Sequence, residues 1–410
     1  MDRVRAYAGA LVLAALGLAA CGERARAVQG DAALREMVRQ RTAAVERATG
    51  LAFKRPPIVA RRSREQVLDY IVRKIDEDLP PEEVRGLASA GRLFGFLPDS
   101  IDLRAQLLAV LGEQVAGYYD PDSSTLYVAA DVDSFYLRTT VAHELVHALQ
   151  HQYLRLDSIV RQRRQNDRRS AAAAVLEGQA TLAQTLLMMP ETDLAALPSF
   201  WELRSVLNEQ QQQMKAYAGA PLWLKEVLIF PYLAGADFVR WYLQEHPGAM
   251  PFAAAMPVSS EQILHPERYA AGDLPTDITF AGSGPDTVRY EDGLGEFETR
   301  LLFQELLPDS SGLRAAALAA GWDGDRYRVI RAGPAADALV WYTVWDDAEA
   351  AARFARSLER VWPNRRTIDP ASRRTTIDSL TIDGRPVVRL VDGPRAWAGW
   401  GAIPTVRISE

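Results

Sequence analysis

The side chains best suited to chemistry lie in one short segment, His143-Glu144-Leu145-Val146-His147. The chain has only five histidines, and three of them fall between positions 143 and 151. On a helix, residues four apart project from one face, so both imidazoles can reach a single Zn²⁺ at about 2.0–2.1 Å. Glu144 lies beside them, where its carboxylate can take a proton from water and pass it to a leaving amine. The segment predicts a zinc site with its own general base; the alternative is a helix whose histidines are simply packed or solvated.

A catalytic zinc site needs a third protein ligand and an open fourth position. His151 is the nearest candidate, but a helix rises about 6 Å per four residues, so a third histidine two turns from the first overshoots the metal. The metzincin arrangement, with a glycine and then a histidine six residues after the second, is excluded because Gln150 and Tyr153 occupy those positions. We therefore expect His151 to support the site or lie at the surface.

Glu177, which follows His147 by thirty residues (177 − 147), is the better candidate for the third ligand. It lies among Ala, Val and Leu on a segment that favours helix, where a lone carboxylate is costly to bury unless it is paired or bound to a metal. Gly178 lowers helix stability by up to about 1 kcal/mol, and close approach of another backbone would explain it. The alternative is an exposed glutamate beside an incidental glycine.

Several segments together resemble a known group of proteins. They are QVAGYYDP at 114–121, HELVHALQ at 143–150, LEG at 176–178, FPYLAG at 230–235, SEQILHP at 260–266 and GWDGD at 321–325. HExxH followed by a glutamate on the next helix resembles the gluzincin class of zinc metallopeptidases. More closely, the chain resembles a group of mostly uncharacterised bacterial exported proteins, over about residues 95–345.

The resemblance implies that His143, His147 and Glu177 bind Zn²⁺ and that Glu144 is the general base. Classical gluzincins often carry an aspartate four residues after the ligand glutamate, to orient a ligand histidine, but Thr181 stands at that position here. A ligating histidine normally needs an acceptor for its other N–H, and the sequence does not identify one.

Two further features bear on how a substrate would be held. The stretches 115–119 and 126–129 flank a turn-forming cluster and predict a hairpin. In zincins an edge strand pairs with extended substrate, and either 118–119 or 126–129 could be that strand; an ordinary structural hairpin is the alternative. Tyr232 and His265 are candidate donors to a developing oxyanion, although core packing or a structural hydrogen bond explains each equally well.

Periodicity and capping signals predict the elements that position these residues. Helices are expected at 31–49, 63–78, 81–94, 101–114, 134–156, 170–189, 200–218, 222–245, 294–307, 311–320 and 347–361, and strands at 54–62, 327–332, 338–345, 379–381 and 387–390. The expected fold class is α+β, with a mostly helical zincin-like catalytic domain, a small hairpin or edge sheet, and a smaller α+β unit at the C-terminus. The expected boundaries are a signal peptide at 1–20, a helical region at 21–95, the catalytic domain at 96–286 and the C-terminal domain at 287–410.

The N-terminus indicates where the protein works. A short basic start and an apolar stretch precede Leu18-Ala19-Ala20-Cys21, which resembles the lipobox of bacterial lipoproteins. Acylation of Cys21, the only cysteine, would anchor an extracytoplasmic protein to a membrane. The net charge of −6 gives no electrostatic case for nucleic acid binding. We expect a zinc-dependent peptidase acting on extracytoplasmic proteins or peptides; the alternative is a lipid-anchored envelope binding or assembly protein with a structural or vestigial metal site.

Overall fold

A computed structural model of the chain describes residues 30–155, 164–189, 191–204, 209, 211–282, 288–307, 312–334, 336–365 and 368–409. The predicted signal segment at 1–20 and Cys21 lie outside the described residues. Within these ranges, no helix combines the length and the apolar character needed to cross a bilayer.

The first part of the chain is helical around a small sheet. Its helices are α1 (Gly30–Thr49), α2 (Arg64–Asp78), α3 (Pro81–Phe94) and α4 (Leu103–Gln114), and its strands are β1 (Ile58–Arg62), β2 (Gly117–Asp120) and β3 (Thr125–Ala129). The predicted hairpin is confirmed, since β2 and β3 pair antiparallel. β1 pairs parallel with the other side of β3, so β3 is the central strand.

Long helices form the middle of the molecule. They are α5 (Ser134–Gln150), α6 (Asn166–Met188) and α8 (Leu222–Glu245), with short helices α7 (Lys215–Ala218), α9 (Ser260–Leu264) and α10 (Pro266–Ala270) around them. The single helix predicted at 200–218 is wrong. A 3₁₀ turn spans Trp201–Leu203 and α7 starts afresh at Lys215. The Glu113 carboxylate accepts hydrogen bonds from the N–H groups of Ala216 and Tyr217, which stabilises that separate start.

Helices α6 and α8 touch backbone to backbone. A Cβ on Gly178 would collide with the carbonyl of Gly235, and a Cβ on Gly235 would collide with the carbonyl of Ala174. The close backbone approach predicted from Gly178 is confirmed. It sets these two helices side by side at the level of Glu177.

The C-terminal part is a five-stranded sheet with helices packed on it. Its members are β5 (Val288–Asp292), β6 (Trp322–Arg331), β7 (Asp337–Trp345), β8 (Arg373–Ile382), β9 (Arg385–Pro394), α11 (Gly295–Leu306), α12 (Gly312–Ala319) and α13 (Ala348–Val361). The strand order is β5-β6-β7-β9-β8, and neighbouring strands are antiparallel. A separate pair joins β4 (Asp277–Phe280) to β10 (Val406–Ser409). The expected boundary after 286 therefore divides β4 from its partner strand.

The largest hydrophobic core runs through the N-terminal, middle and C-terminal parts of the chain. Phe94, at the end of α3, packs edge-on against Tyr327, Trp341 and Trp362 of the C-terminal unit. The helical region expected at 21–95 therefore shares its core with the last part of the chain. The predicted class, mostly helical α+β with small sheets, is confirmed.

Candidate metal centre

Helix α5 holds the histidine pair rigidly. Its apolar residues Val141, Leu145 and Leu149 are fully buried in a core that also contains Leu126 and Val128 of β3. Burial of that face fixes the rotation of the helix, because the apolar side chains recur every four residues. His143 is buried and His147 half-buried on another face, with their ring centroids 4.8 Å apart.

Helix α6 brings Glu177 to both imidazoles. Its Oε2 lies 3.1 Å from His143 Nε2 and 3.4 Å from His147 Nε2, and the two Nε2 atoms are 3.1 Å apart. Ligands of a tetrahedral zinc at about 2.0–2.1 Å lie roughly 3.3 Å from one another. The three donors thus have the chemistry and the mutual spacing of a set of metal ligands. They form a group that could hold a metal ion.

The charges within this group depend on one another. Burial alone would lower the pKa of His147, but the carboxylate of Glu177, with a smaller effect of Glu144, raises that pKa to about 9. Burial alone would raise the pKa of Glu177, but the charge of His147 and hydrogen bonds from both imidazoles hold it well below its usual range. Without a metal, a proton on His147 takes the place of a cation among these donors.

Glu144 lies on α5 beside the histidines and is half-buried. Its charge helps to raise the pKa of His147 and of Tyr232, which places the carboxylate within electrostatic range of both. This is the position that a proton-transferring group at the metal centre would take.

Tyr232 comes to the centre from α8. Its ring stacks on that of His143, with centroids 5.9 Å apart and planes 24° apart. Burial, together with the charges of Glu177 and Glu144 and a hydrogen bond to Glu177, raises the pKa of the Tyr232 hydroxyl well above its ordinary value. The hydroxyl therefore keeps its proton at neutral pH and can donate a hydrogen bond.

His265 lies elsewhere. Its Nε2 is 3.0 Å from Oε1 of Glu296, and that hydrogen bond raises the pKa of His265. Ser260, at the start of the same helical turn, donates its N–H to Asp167 in the first turn of α6. Asp167 is ten residues before Glu177, about 15 Å along the helix axis. The structure thus brings Tyr232 to the histidine pair and places His265 in a separate, structural ion pair.

Gln150 is the residue that sequence reasoning missed. It is fully buried, and its Oε1 lies 2.9 Å from Nδ1 of His147. Its Nε2 donates to the carbonyl of Leu176 and to Oε1 of Gln179, at 2.9 Å each. Its place in HELVHALQ, three residues after a ligand histidine on the same helix face, was the available signal.

His151 lies just after α5 and contacts strand β2. Its Nδ1 lies 2.7 Å from the hydroxyl of Tyr119 on β2, so it ties α5 to the hairpin. Thr181, at the position where gluzincins often carry an aspartate, is buried, and its Oγ1 has no hydrogen-bond partner within the described part of the chain. The same holds for Nδ1 of His143. The two histidines therefore differ, because Nδ1 of His147 has an acceptor on Gln150 and Nδ1 of His143 has none among the residues that the structure describes.

Strand β2 runs close to the site and has β3 as its neighbour on one side. A Cβ on Gly117 would lie 2.8 Å from Cγ2 of Thr140, three residues before His143, so the strand sits directly on α5. Tyr118 stacks at 3.7 Å on Tyr70, whose pKa responds to the charge of Glu144. Both edges of β3 are occupied, which rules out 126–129 as a substrate-pairing strand and leaves 118–119 on the edge strand.

Comparisons with known proteins cover parts of the chain. A family model described as a domain of unknown function (DUF8575) matches residues 286–401, which is most of the C-terminal unit and excludes the histidine pair. No curated protein matches the chain. A solved structure from Chloroflexus aurantiacus, described as "a putative hydrolase with a novel fold", is 17% identical, with a TM-score of 0.37. It covers 66% of this chain and 97% of its own. These comparisons assign no role to His143, His147 or Glu177.

Proposed function

We propose that the chain is a zinc-dependent hydrolase that cleaves peptide bonds. The observation that carries the proposal is the triangle of donors, His143 Nε2, His147 Nε2 and Glu177 Oε2, at 3.1 to 3.4 Å from one another. Two neutral imidazoles and one carboxylate are a ligand set of catalytic zinc sites, which keep a position open for water or substrate. Structural zinc sites are normally closed by four protein ligands, so a set of three, counted among the described residues, favours an enzyme over a scaffold.

Zinc bound here would supply a Lewis acid that lowers the pKa of water to about 7. Glu144 would take a proton from that water and deliver it to the leaving amine, since it lies beside both histidines on α5. The hydroxyl of Tyr232 would donate a hydrogen bond to the oxygen on which charge develops, because its raised pKa keeps the hydroxyl protonated.

The edge of β2 would hold the substrate in an extended form. An edge strand offers backbone N–H and C=O groups to a peptide, and 118–119 lie on such an edge next to α5. The proposed substrates are proteins or peptides outside the cytoplasm, because a lipid on Cys21 would anchor the chain to a membrane there.

The test uses the purified chain, its zinc content and an unbiased peptide library. We expect one zinc per chain and cleavage of a subset of peptides. Glu144→Gln should abolish cleavage and retain zinc, because the substitution removes the proton acceptor and leaves the ligands in place. Glu191→Gln, at an exposed position in a turn, is the matched control and should cleave normally. A chain that binds no stoichiometric zinc, or a Glu144→Gln variant that cleaves as well as the original, would refute the proposal.

A further inference from the structure

We infer that Gln150 is a positioning residue for the metal centre: it holds the ring of His147 with Nε2 turned towards His143 and Glu177. The use of this orientation for zinc rests on the proposed function. The orientation itself follows from hydrogen bonds between groups of known polarity.

The backbone carbonyl of Leu176 fixes the orientation of the Gln150 amide, because a carbonyl oxygen can only accept a hydrogen bond. The end of the Gln150 amide that lies 2.9 Å from it must therefore be the NH₂ group. This fixes the amide, whose two ends are otherwise hard to tell apart. Its Oε1, an acceptor, then faces Nδ1 of His147 at 2.9 Å.

The ring of His147 is fixed in turn. Since Gln150 Oε1 accepts, Nδ1 must carry a hydrogen, and in the neutral ring, the form that binds a metal, the lone pair is left to Nε2. Nε2 is the ring atom that lies 3.1 Å from His143 Nε2 and 3.4 Å from Glu177 Oε2. The protonation state that Gln150 demands is thus the one that suits the donor triangle.

Gln150 also joins the two helices that supply the ligands. It lies on α5, and its amide hydrogens go to Leu176 and Gln179 of α6, on either side of Glu177. Both amide hydrogens and the amide oxygen have a protein partner although the residue is fully buried, where an unsatisfied amide would cost about 1–3 kcal/mol. The residue therefore sets both the direction of one ligand and its distance from another.

Two substitutions separate these roles. Gln150→Leu removes the acceptor and the link to α6. Gln150→Glu keeps an acceptor for His147 Nδ1 and loses the hydrogen bonds donated to Leu176 and Gln179. Gln184→Leu is the matched control, because Gln184 is an equally buried glutamine on α6, seven residues beyond Glu177, and its Oε1 has no hydrogen-bond partner among the described residues.

The first measurement is zinc affinity, by competition with a chelator, on variants shown by circular dichroism to be folded. Partners of ligand histidines typically contribute 10–100-fold to metal affinity. We expect Gln150→Leu to weaken zinc binding by about that factor, Gln150→Glu to recover most of the loss, and Gln184→Leu to bind as the original chain does.

The second measurement is nuclear magnetic resonance of the imidazole N–H groups, in metal-free and zinc-loaded chain. We expect a slowly exchanging Nδ1 proton on His147 in both forms, and its loss in Gln150→Leu. A folded Gln150→Leu variant with unchanged zinc affinity and an unchanged Nδ1 proton would overturn the inference and leave the proposed function standing. A chain that shows this proton and takes up no zinc would refute the proposed function while the orientation of His147 holds.

Discussion

Helix α6 carries two carboxylates, Asp167 and Glu177, ten residues apart. Their surroundings shift their pKa values in opposite directions. The pKa of Glu177 is held well below its usual range, whereas burial raises the pKa of Asp167 to about 8. Both lie on the same helix, and both are half-buried. What differs is the partner, since Glu177 faces two imidazoles and Asp167 faces the acidic groups Asp325 and Glu298.

The helix dipole alone would lower the pKa of Asp167. Asp167 lies in the first turn of α6, where the helix dipole stabilises a negative charge by about 0.3–1 kcal/mol. A rise from 3.8 to about 8 corresponds to several times that energy, at about 1.4 kcal/mol per pKa unit. Burial and acidic neighbours therefore outweigh the dipole. Two carboxylates on one helix can thus be held ionised or neutral, depending on what faces them.

The strongest test of this contrast removes each carboxylate in turn. Glu177→Ala should weaken zinc binding more than 100-fold, since losing a partner of a ligand already costs about 10–100-fold and this change removes a ligand. Asp167→Asn, on the same helix, should leave zinc affinity unchanged. Isothermal titration with zinc measures both. Equal affinities for Glu177→Ala and the original chain would show that Glu177 is not a ligand.

The zinc affinity should also depend on pH in a direction that the ligand pKa values set. His147 has its pKa raised to about 9, so below that pH it holds a proton that zinc must displace. Each unit of pH below about 9 should therefore weaken binding about tenfold, or about 100-fold from pH 9 to pH 7. Competition titrations at several pH values measure the slope. A flat profile between pH 7 and pH 8 would contradict the assignment of His147.

Much of this centre could be predicted from the sequence, for reasons that are local. The spacing of His143 and His147 is a property of one helix, and Gly178 marked a helix crossing because little else explains a glycine there. The partner of that crossing, Gly235, lies 57 residues away (235 − 178), and no local pattern links the two.

The rest depended on contacts between distant segments. In the sequence, Gln150 is an ordinary polar residue at the end of a predicted helix. Its role becomes clear only from the hydrogen bond that its amide donates to Leu176. His265 lies in one of the segments that resemble the group of bacterial exported proteins. Its hydrogen-bond partner is Glu296, 31 residues later. The start of α7 depended on Glu113, which is more than 100 residues earlier.

The backbone contact between α6 and α8 can be tested by its effect on the free energy of unfolding, and the expected effect is of intermediate size. Gly178→Ala should destabilise the fold by about 1–3 kcal/mol, because the new methyl group meets the backbone of Gly235 and cannot be accommodated by a side-chain rotation. The gain in helix propensity, up to about 1 kcal/mol, is smaller. Gly219→Ala is the control, since its Cβ would meet the carbonyl oxygens of Lys215 and Ala216 at ordinary distances of 3.5 and 3.9 Å. Urea unfolding of both variants measures the difference. Equal stability would mean that the helices can separate without cost.

The smallest expected effect concerns Asp167 and the pH dependence of the free energy of unfolding. The pKa of Asp167 is raised above its unfolded value near 3.9, so the stability it contributes is full below about pH 4 and is lost as pH rises through about 8. Asp167→Asn imitates the protonated form and keeps an oxygen that can accept from the N–H of Ser260. Relative to the original chain, the variant should therefore gain about 1–2 kcal/mol of unfolding free energy between pH 7 and pH 9. Urea unfolding of metal-free protein at the two pH values measures this gain, with Asp99→Asn at an exposed position as the control. A variant whose stability follows the same pH profile as the original chain would show that Asp167 is already ionised in the fold, and the contrast between the two carboxylates of α6 would then disappear.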